Sequence, residues 1–423
     1  MTEAVTAPVP VEFRTPRRRI FNPLRLTDQE IEQAFIARRA LLASLLADLA
    51  AENDARAPQH HLIVGQRGMG KTTLLCRIAA ELRKPEYRDR FLPLTFPEEQ
   101  YIETDRLSKF WMNCLDAMAD ALEASGERAA AEDLDRQVRR LDRDPGDETT
   151  RAERTREALQ AAIARIGRRP VLLLDNLHLL LERLREADYV LRGFFTRPAA
   201  PVLIGAATVW PDSLHDYGAA FYDSFKTHVL HRLSADEMRE IIAKLAREAS
   251  RPDVAARLHA EIPRLRALRD LTGGNPRTTV LLFELLAQGF SDDPYEDLES
   301  LLDQVTPLYQ SRIEQLSQQA QLLFAELARQ WSPATAEQLT EATRLPRGSV
   351  SPQLGRLESI GLVEKTPVFP GKKTGYQIAE RFFNIWYLMR FASRRQRTAL
   401  VCLTRFLEGF YTPPNWRPAL AGY

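Results

Sequence analysis

Gly65-Gln66-Arg67-Gly68-Met69-Gly70-Lys71-Thr72 follows the short apolar run His61-Leu62-Ile63-Val64 and opens a helical pattern. Thr73 comes next, then Leu74, Leu75, Ile78, Ala79 and Leu82 recur on one helix face. The octet fits G-x-x-x-x-G-K-[ST] in the strand–loop–helix context that this motif needs. Glycines let backbone N–H groups curl around phosphate oxygens, where β-carbons would crowd them. A helix N-terminus adds unpaired donors and partial positive charge. In this arrangement Lys71 reaches the β- and γ-phosphates of a nucleotide, and Thr72 places its hydroxyl on Mg²⁺.

A second acid is needed to hold the metal. Val171-Leu172-Leu173-Leu174-Asp175 offers one: four apolar residues of a doubly buried strand, then a carboxylate at its C-terminal end. The long separation from Thr72 is accounted for by residues 107–166, which read as a crossover helix plus an inserted charged helical hairpin. Further strand candidates at Phe91–Phe96, Val202–Ala207 and Val229–Leu233 alternate with helices. The expected class is therefore α/β, a parallel sheet covered on both faces, of the P-loop NTPase kind. Asn176 follows Asp175 where many such ATPases carry an acid. Asn holds a water but cannot accept its proton. Either Glu98 or Glu182 serves instead, or hydrolysis is slow.

These motifs resemble those of AAA+ ATPases of the initiator and archaeal type and of STAND-type signalling ATPases. Phe35-Ile36-Ala37-Arg38-Arg39 is similar to their F-x-G-R box, with Ala37 for Gly. His231-Arg232-Leu233-Ser234-Ala235-Asp236-Glu237 resembles the entry to their helical lid, and Gly273-Gly274-Asn275-Pro276-Arg277 the lid motif. The resemblance implies ATP and Mg²⁺ as cofactors, Thr208 at the sensor-1 position and Arg277 as a γ-phosphate sensor. It implies an AAA+-like core with a helical lid, and a protein partner or homo-oligomer. No arginine stands just before the fifth expected strand, so a finger in trans is not indicated.

The C-terminal part has a different balance. Thr340–Tyr423 holds 13 Lys and Arg against 5 Asp and Glu, a net +8, whereas the whole chain is +1. Leu322–Leu327, the Thr335/Gln338 capping pair, Arg347–Gly361 and two strands flanking Pro370–Gly375 give the order of a winged helix–turn–helix, similar to those of MarR-type regulators and archaeal ATPases. Duplex DNA would meet Arg347, Ser349, Ser351, Gln353 and Arg356 on the third helix and Lys372 and Lys373 on the wing. The aromatic run Arg381–Arg390 reads as core.

Length and composition bound the rest. A chain of 423 residues, 44% hydrophobic and with balanced charge, has material for two or three domains. No apolar stretch is long enough to cross a bilayer, no secretory signal is present, and three scattered cysteines fit neither disulfides nor zinc. A cytoplasmic location and no membrane partner are expected. The expected division is a flexible arm (1–22), a P-loop core (23–233), a lid (234–316) and a winged-helix domain with C-terminal helices (317–423). The expected function is an ATPase that couples ATP or ADP occupancy to assembly on DNA or a partner complex. Two alternatives stand beside it: an ATP-gated signalling or defence switch whose winged helix binds protein, and a DNA-binding regulator with a vestigial P-loop.

Overall fold

The computed structural model describes residues 23–65, 68–97, 100–208, 221, 224–250, 269, 272–288, 294–330, 332–368 and 373–391. The expected arm at 1–22 lies outside them. Strands β1 (His60–Val64), β2 (Phe91–Thr95), β3 (Arg169–Leu174), β4 (Val202–Ala207) and β5 (Phe225–Val229) form one parallel sheet in the order β2-β3-β4-β1-β5. Successive strand side chains point to opposite faces. Ile63, Val171, Leu173 and Ile204 therefore pack with Leu42, Leu45 and Ile78 on one side. Leu62, Leu172, Leu174 and Leu203 pack with Trp111, Leu115 and Phe194 on the other.

Helices α1 (Asp28–Ala34) and α2 (Arg39–Ala50) precede the sheet, and α3 (Lys71–Leu82) follows β1. The sequence reads as one helix over Ile31–Ala51. The first helix ends where Phe35 turns extended, at φ −84° and ψ 99°, and the second starts from Arg38, whose φ is 64°. After β2 come α4 (Gln100–Glu103) and the inserted helices α5 (Leu107–Ala124), α6 (Arg128–Asp142) and α7 (Glu148–Ile166). Helix α5 packs on the sheet through Trp111 and Leu115, while α6 fully buries Ala131 and Leu134 and partly buries Ala130, Val138 and Leu141 against the same cluster. Helices α8 (Leu177–Arg183) and α9 (Asp188–Phe195) lead to β4.

The fifth strand lies earlier than its apolar run suggests. Phe225-Lys226-Thr227-His228-Val229 is an edge strand, paired only with β1 and partly exposed, so its composition is mixed. Leu230 still donates its N–H to the Val64 carbonyl at 2.7 Å, and the chain then climbs to the lid.

Past the sheet, α10 (Ala235–Glu248) starts at a capping box between Ser234 and Glu237. Helices α11 (Pro276–Gln288), α12 (Pro294–Glu314) and α13 (Gln318–Arg329) follow. Next come β6 (Ala334–Thr335), α14 (Ala336–Thr343), α15 (Arg347–Ser359), β7 (Val363–Val368), β8 (Lys373–Ile378) and α16 (Arg381–Phe391). Strands β6, β8 and β7 make a small antiparallel sheet in that order. One continuous apolar cluster runs from Met238 and Ile242 of α10 through Phe283 and Tyr309 to Leu354 of α15 and Trp386 of α16. Among the described residues no helix is long and apolar enough to cross a membrane.

Two histidines enter the sheet on β1. The His60 ring accepts the Leu203 N–H at 3.1 Å and donates to the Phe195 carbonyl at 3.2 Å. His61 stacks on His228, with their ring nitrogens 3.1 Å apart. Burial pushes both His60 and His61 from an ordinary 6.5 down to about 4. The unfolded chain takes up protons below pH 6.5 while the folded rings stay neutral until about 4. Stability from these two groups is complete above 6.5 and is lost as pH falls toward 4. The urea midpoint should drop across that window, and His61→Gln should flatten the slope. A midpoint independent of pH there would contradict the neutral pair.

Candidate functional site

The C-terminal ends of β1, β3 and β4 lie side by side, because Val64 is in register with Ala207 and Leu174 with Gly205. Gly65, Asp175 and Thr208 thus emerge together, and the Gly65 N–H donates to the Ala207 carbonyl at 3.1 Å. The loop continues through Gly68 and Gly70, at φ of 84° and 85°, with Met69 buried between them. Gln66 and Arg67 lie outside the described residues. Lys71, Thr72 and Thr73 are the first three residues of α3. Lys71 is buried and donates from Nζ to the Gly65 carbonyl at 2.7 Å, spanning the loop it would share with a phosphate.

The acid is oriented from both sides. The Asn176 N–H donates to Asp175 Oδ1 at 2.8 Å, and the Thr72 hydroxyl donates to Asp175 Oδ2. Hydroxyl and carboxylate are hard oxygen donors, the set that Mg²⁺ takes alongside nucleotide phosphates. A buried cation inside a glycine loop suits the phosphates themselves. These residues fit a Mg²⁺–nucleotide, with Thr72 and Asp175 toward the metal and Lys71 toward the anion.

The lid closes on the loop at one point. The ideal β-carbon of Gly68 would lie 3.0 Å from Asn275 Oδ1 and 3.2 Å from Arg277 Cβ, so a side chain there would push the lid away. Arg277 is the second residue of α11, and Asn275 Oδ1 caps that helix by accepting the Arg277 N–H at 3.0 Å. Arg38, in the box ahead of α2, ties the same parts together. Its guanidinium donates to the Met69 carbonyl, and to that of His231 at 3.0 Å, while its N–H donates to Glu237 at 3.2 Å. The sequence pattern marked Arg38, but not that its left-handed backbone turns it toward the loop.

Thr208 lies just beyond β4, with its hydroxyl 3.1 Å from His178 Nε2. It borders a cavity of about 250 Å³ between loop, lid and C-terminal unit, with Gly65, Asn275, Arg312 and Ile360. Asn176 has φ of 51° and precedes α8. Of the two carboxylates offered as substitutes for a missing acid, Glu182 is exposed on α8 and Glu98 lies outside the described residues. In the sequence His178 only interrupts the apolar stretch Val171–Leu181 and carries no functional role. Its signal was a lone imidazole three residues after Asp175 in the run Leu177-His178-Leu179-Leu180-Leu181.

Residues 34–204 match the family model described as an AAA ATPase domain. With the sheet order and the paired Thr72 and Asp175, this marks the segment 34–204 as an AAA ATPase domain. Among curated proteins no sequence matches the chain. Among solved structures it is similar to a Walker-type ATPase of Pyrococcus abyssi, at 12% identity and a TM-score of 0.53, over 84% of this chain and 96% of that one. That likeness is one of fold alone. The Aeropyrum pernix ORC1 protein, solved with DNA, shares 16% identity over 86% of this chain and 93% of its own, at a TM-score of 0.39. Cdc6p from Pyrobaculum aerophilum shares 16% over 86% and 98%, at 0.37. Neither reaches the level at which a common fold follows.

The expected DNA-reading residues fall on α15. Arg347, Ser351 and Arg356 are exposed, opposite the buried Val350, Leu354 and Leu357. Ser349 donates to the Pro346 carbonyl at 2.8 Å, and Gln353 accepts from Ser317 at 3.3 Å, so both are partly engaged within the protein. Arg347 faces Glu337 at 3.6 Å in an exposed pair, which a phosphate can replace at little cost. Lys372 lies outside the described residues, and Lys373 begins β8.

Proposed function

We propose that the protein binds ATP·Mg²⁺ between sheet and lid, hydrolyses it to ADP and phosphate, and passes the state of the terminal phosphate to a C-terminal winged helix that docks on duplex DNA. Thr72 and Asp175 hold the metal. Lys71, Arg277 and Thr208 report the terminal phosphate. The core extends over 23–233, the lid over 234–316 and the winged helix with its closing helices over 317–423. One observation carries the reading: the lid segment Gly273–Arg277 touches Gly68 of the phosphate loop on one side and Glu380, at the end of the C-terminal hairpin, on the other. A change at the loop therefore has a short mechanical route to α15. The basic exposed residues of α15 and the +8 tail support DNA as the output.

Titrating a duplex by gel shift at several salt concentrations, with ATP and with ADP, tests the output. Log affinity should fall by about 0.9 per log unit of salt for each phosphate contacted. Arg347→Ala and Arg356→Ala should weaken all duplexes alike and each lower that slope by about one. A salt-insensitive result, or no shift, favours a winged helix that binds protein. Asn176 favours slow hydrolysis within the same scheme, because an amide cannot take a proton from water.

A further inference from the structure

One polar side chain beside Thr208 is not used by the scheme above. His178 sits in the first turn of α8, within hydrogen-bonding reach of Thr208, and its Nδ1 is buried with no hydrogen-bond partner among the described residues. The backbone locks this placement. The preceding Leu177 lies against Gly205 of β4, where an added β-carbon would stand 2.2 Å from the leucine side chain. Helix α8 thus rests on the strand that leads into Thr208, and the imidazole has a fixed relation to that hydroxyl.

We propose that His178 is a positioning residue for ATP hydrolysis, holding the Thr208 hydroxyl in the orientation that fixes the attacking water beside an Asp-Asn pair that lacks an acid. The inference rests on the ATPase reading. A neutral imidazole has one donor and one acceptor nitrogen, so its bond to Thr208 dictates which way the hydroxyl hydrogen points. The ring is held neutral: burial first, then the Lys71 cation, push it down to about 4, against the opposing pull of Asp175. The role needs no proton transfer. It supplies geometry, which an acid after Asp175 would otherwise help supply.

The test uses the full chain and measures ATP affinity and single-turnover phosphate release. His178→Ala should slow release by about ten- to a hundredfold, the scale of a misplaced reacting group, with ATP affinity changed less than about threefold. His178→Gln carries an amide close to the place of Nε2 and should recover most of the rate. His178→Met fills the space without a hydrogen bond and should not. Combining His178→Ala with Thr208→Ala should slow release no further than the slower single variant, because both act through one contact. A His178→Met protein as fast as wild type, a His178→Gln protein as slow as the alanine variant, or fully multiplicative losses would overturn the assignment. Wild-type protein that binds no ATP overturns the nucleotide reading. Wild type that binds ATP yet releases no phosphate overturns hydrolysis, and this inference with it.

Discussion

Lys71→Ala should weaken ATP binding by at least about a hundredfold. A charged hydrogen bond contributes about 1.5–3 kcal/mol, and about 1.4 kcal/mol is a factor of ten. Lys71 is placed for more than one such bond, since its Nζ already lies inside the loop, on the Gly65 carbonyl. The substitution removes that charge and leaves the glycine backbone intact. A thermal-shift titration reads the result directly. A ligand at a hundred times its dissociation constant stabilises the folded state by about 2.7 kcal/mol, so wild type should show a clear upward shift. The variant, at the same concentration, should gain no more than about 0.4 kcal/mol. Equal shifts in both would remove the nucleotide from the loop, and with it the coupling scheme.

Glu380→Leu should be the most destabilising single change in the C-terminal half. The carboxylate is buried where the hairpin meets α16, and three donors converge on it. Thr278 of α11 and Tyr309 of α12 donate to Oε1 at 2.6 and 2.5 Å, and Arg312 donates to Oε2 at 2.6 Å. Burial and the Glu380 charge push the Tyr309 phenol well above its ordinary range, so it stays a donor. Removing one partner of a buried pair strands the other, at a cost of about 3–5 kcal/mol. Denaturant unfolding followed by tryptophan fluorescence should show that loss. Adding Arg312→Met should recover much of it, because two apolar groups of similar size leave no buried charge. Loss of a few tenths of a kcal/mol only would mean that the ion pair is open to water.

How much was legible beforehand depended on how local each signal is. The phosphate loop, the strand ending at Asp175, the capping pair of Thr335 and Gln338 and the helix from Arg347 are written in consecutive residues, and they stand where the pattern puts them. The edge strand Phe225–Val229 was displaced in the reading because one-sided pairing relaxes its need for apolar residues. The split between Phe35 and Arg38 depends on an extended residue and a left-handed one, which no periodicity announces. His178 with Thr208, and Glu380 with Thr278, are joined across 30 and 102 residues. Such meetings follow from the packed chain, and no spacing rule finds them.

The unbroken apolar cluster from α10 to α16 has an evolutionary corollary. Splitting the gene between α12 and α13 would hand each fragment a raw oily flank, prone to clumping. A graft that gives the phosphate-loop domain a new C-terminal unit must therefore transplant both pieces as a single cassette, with the seam placed near Leu230.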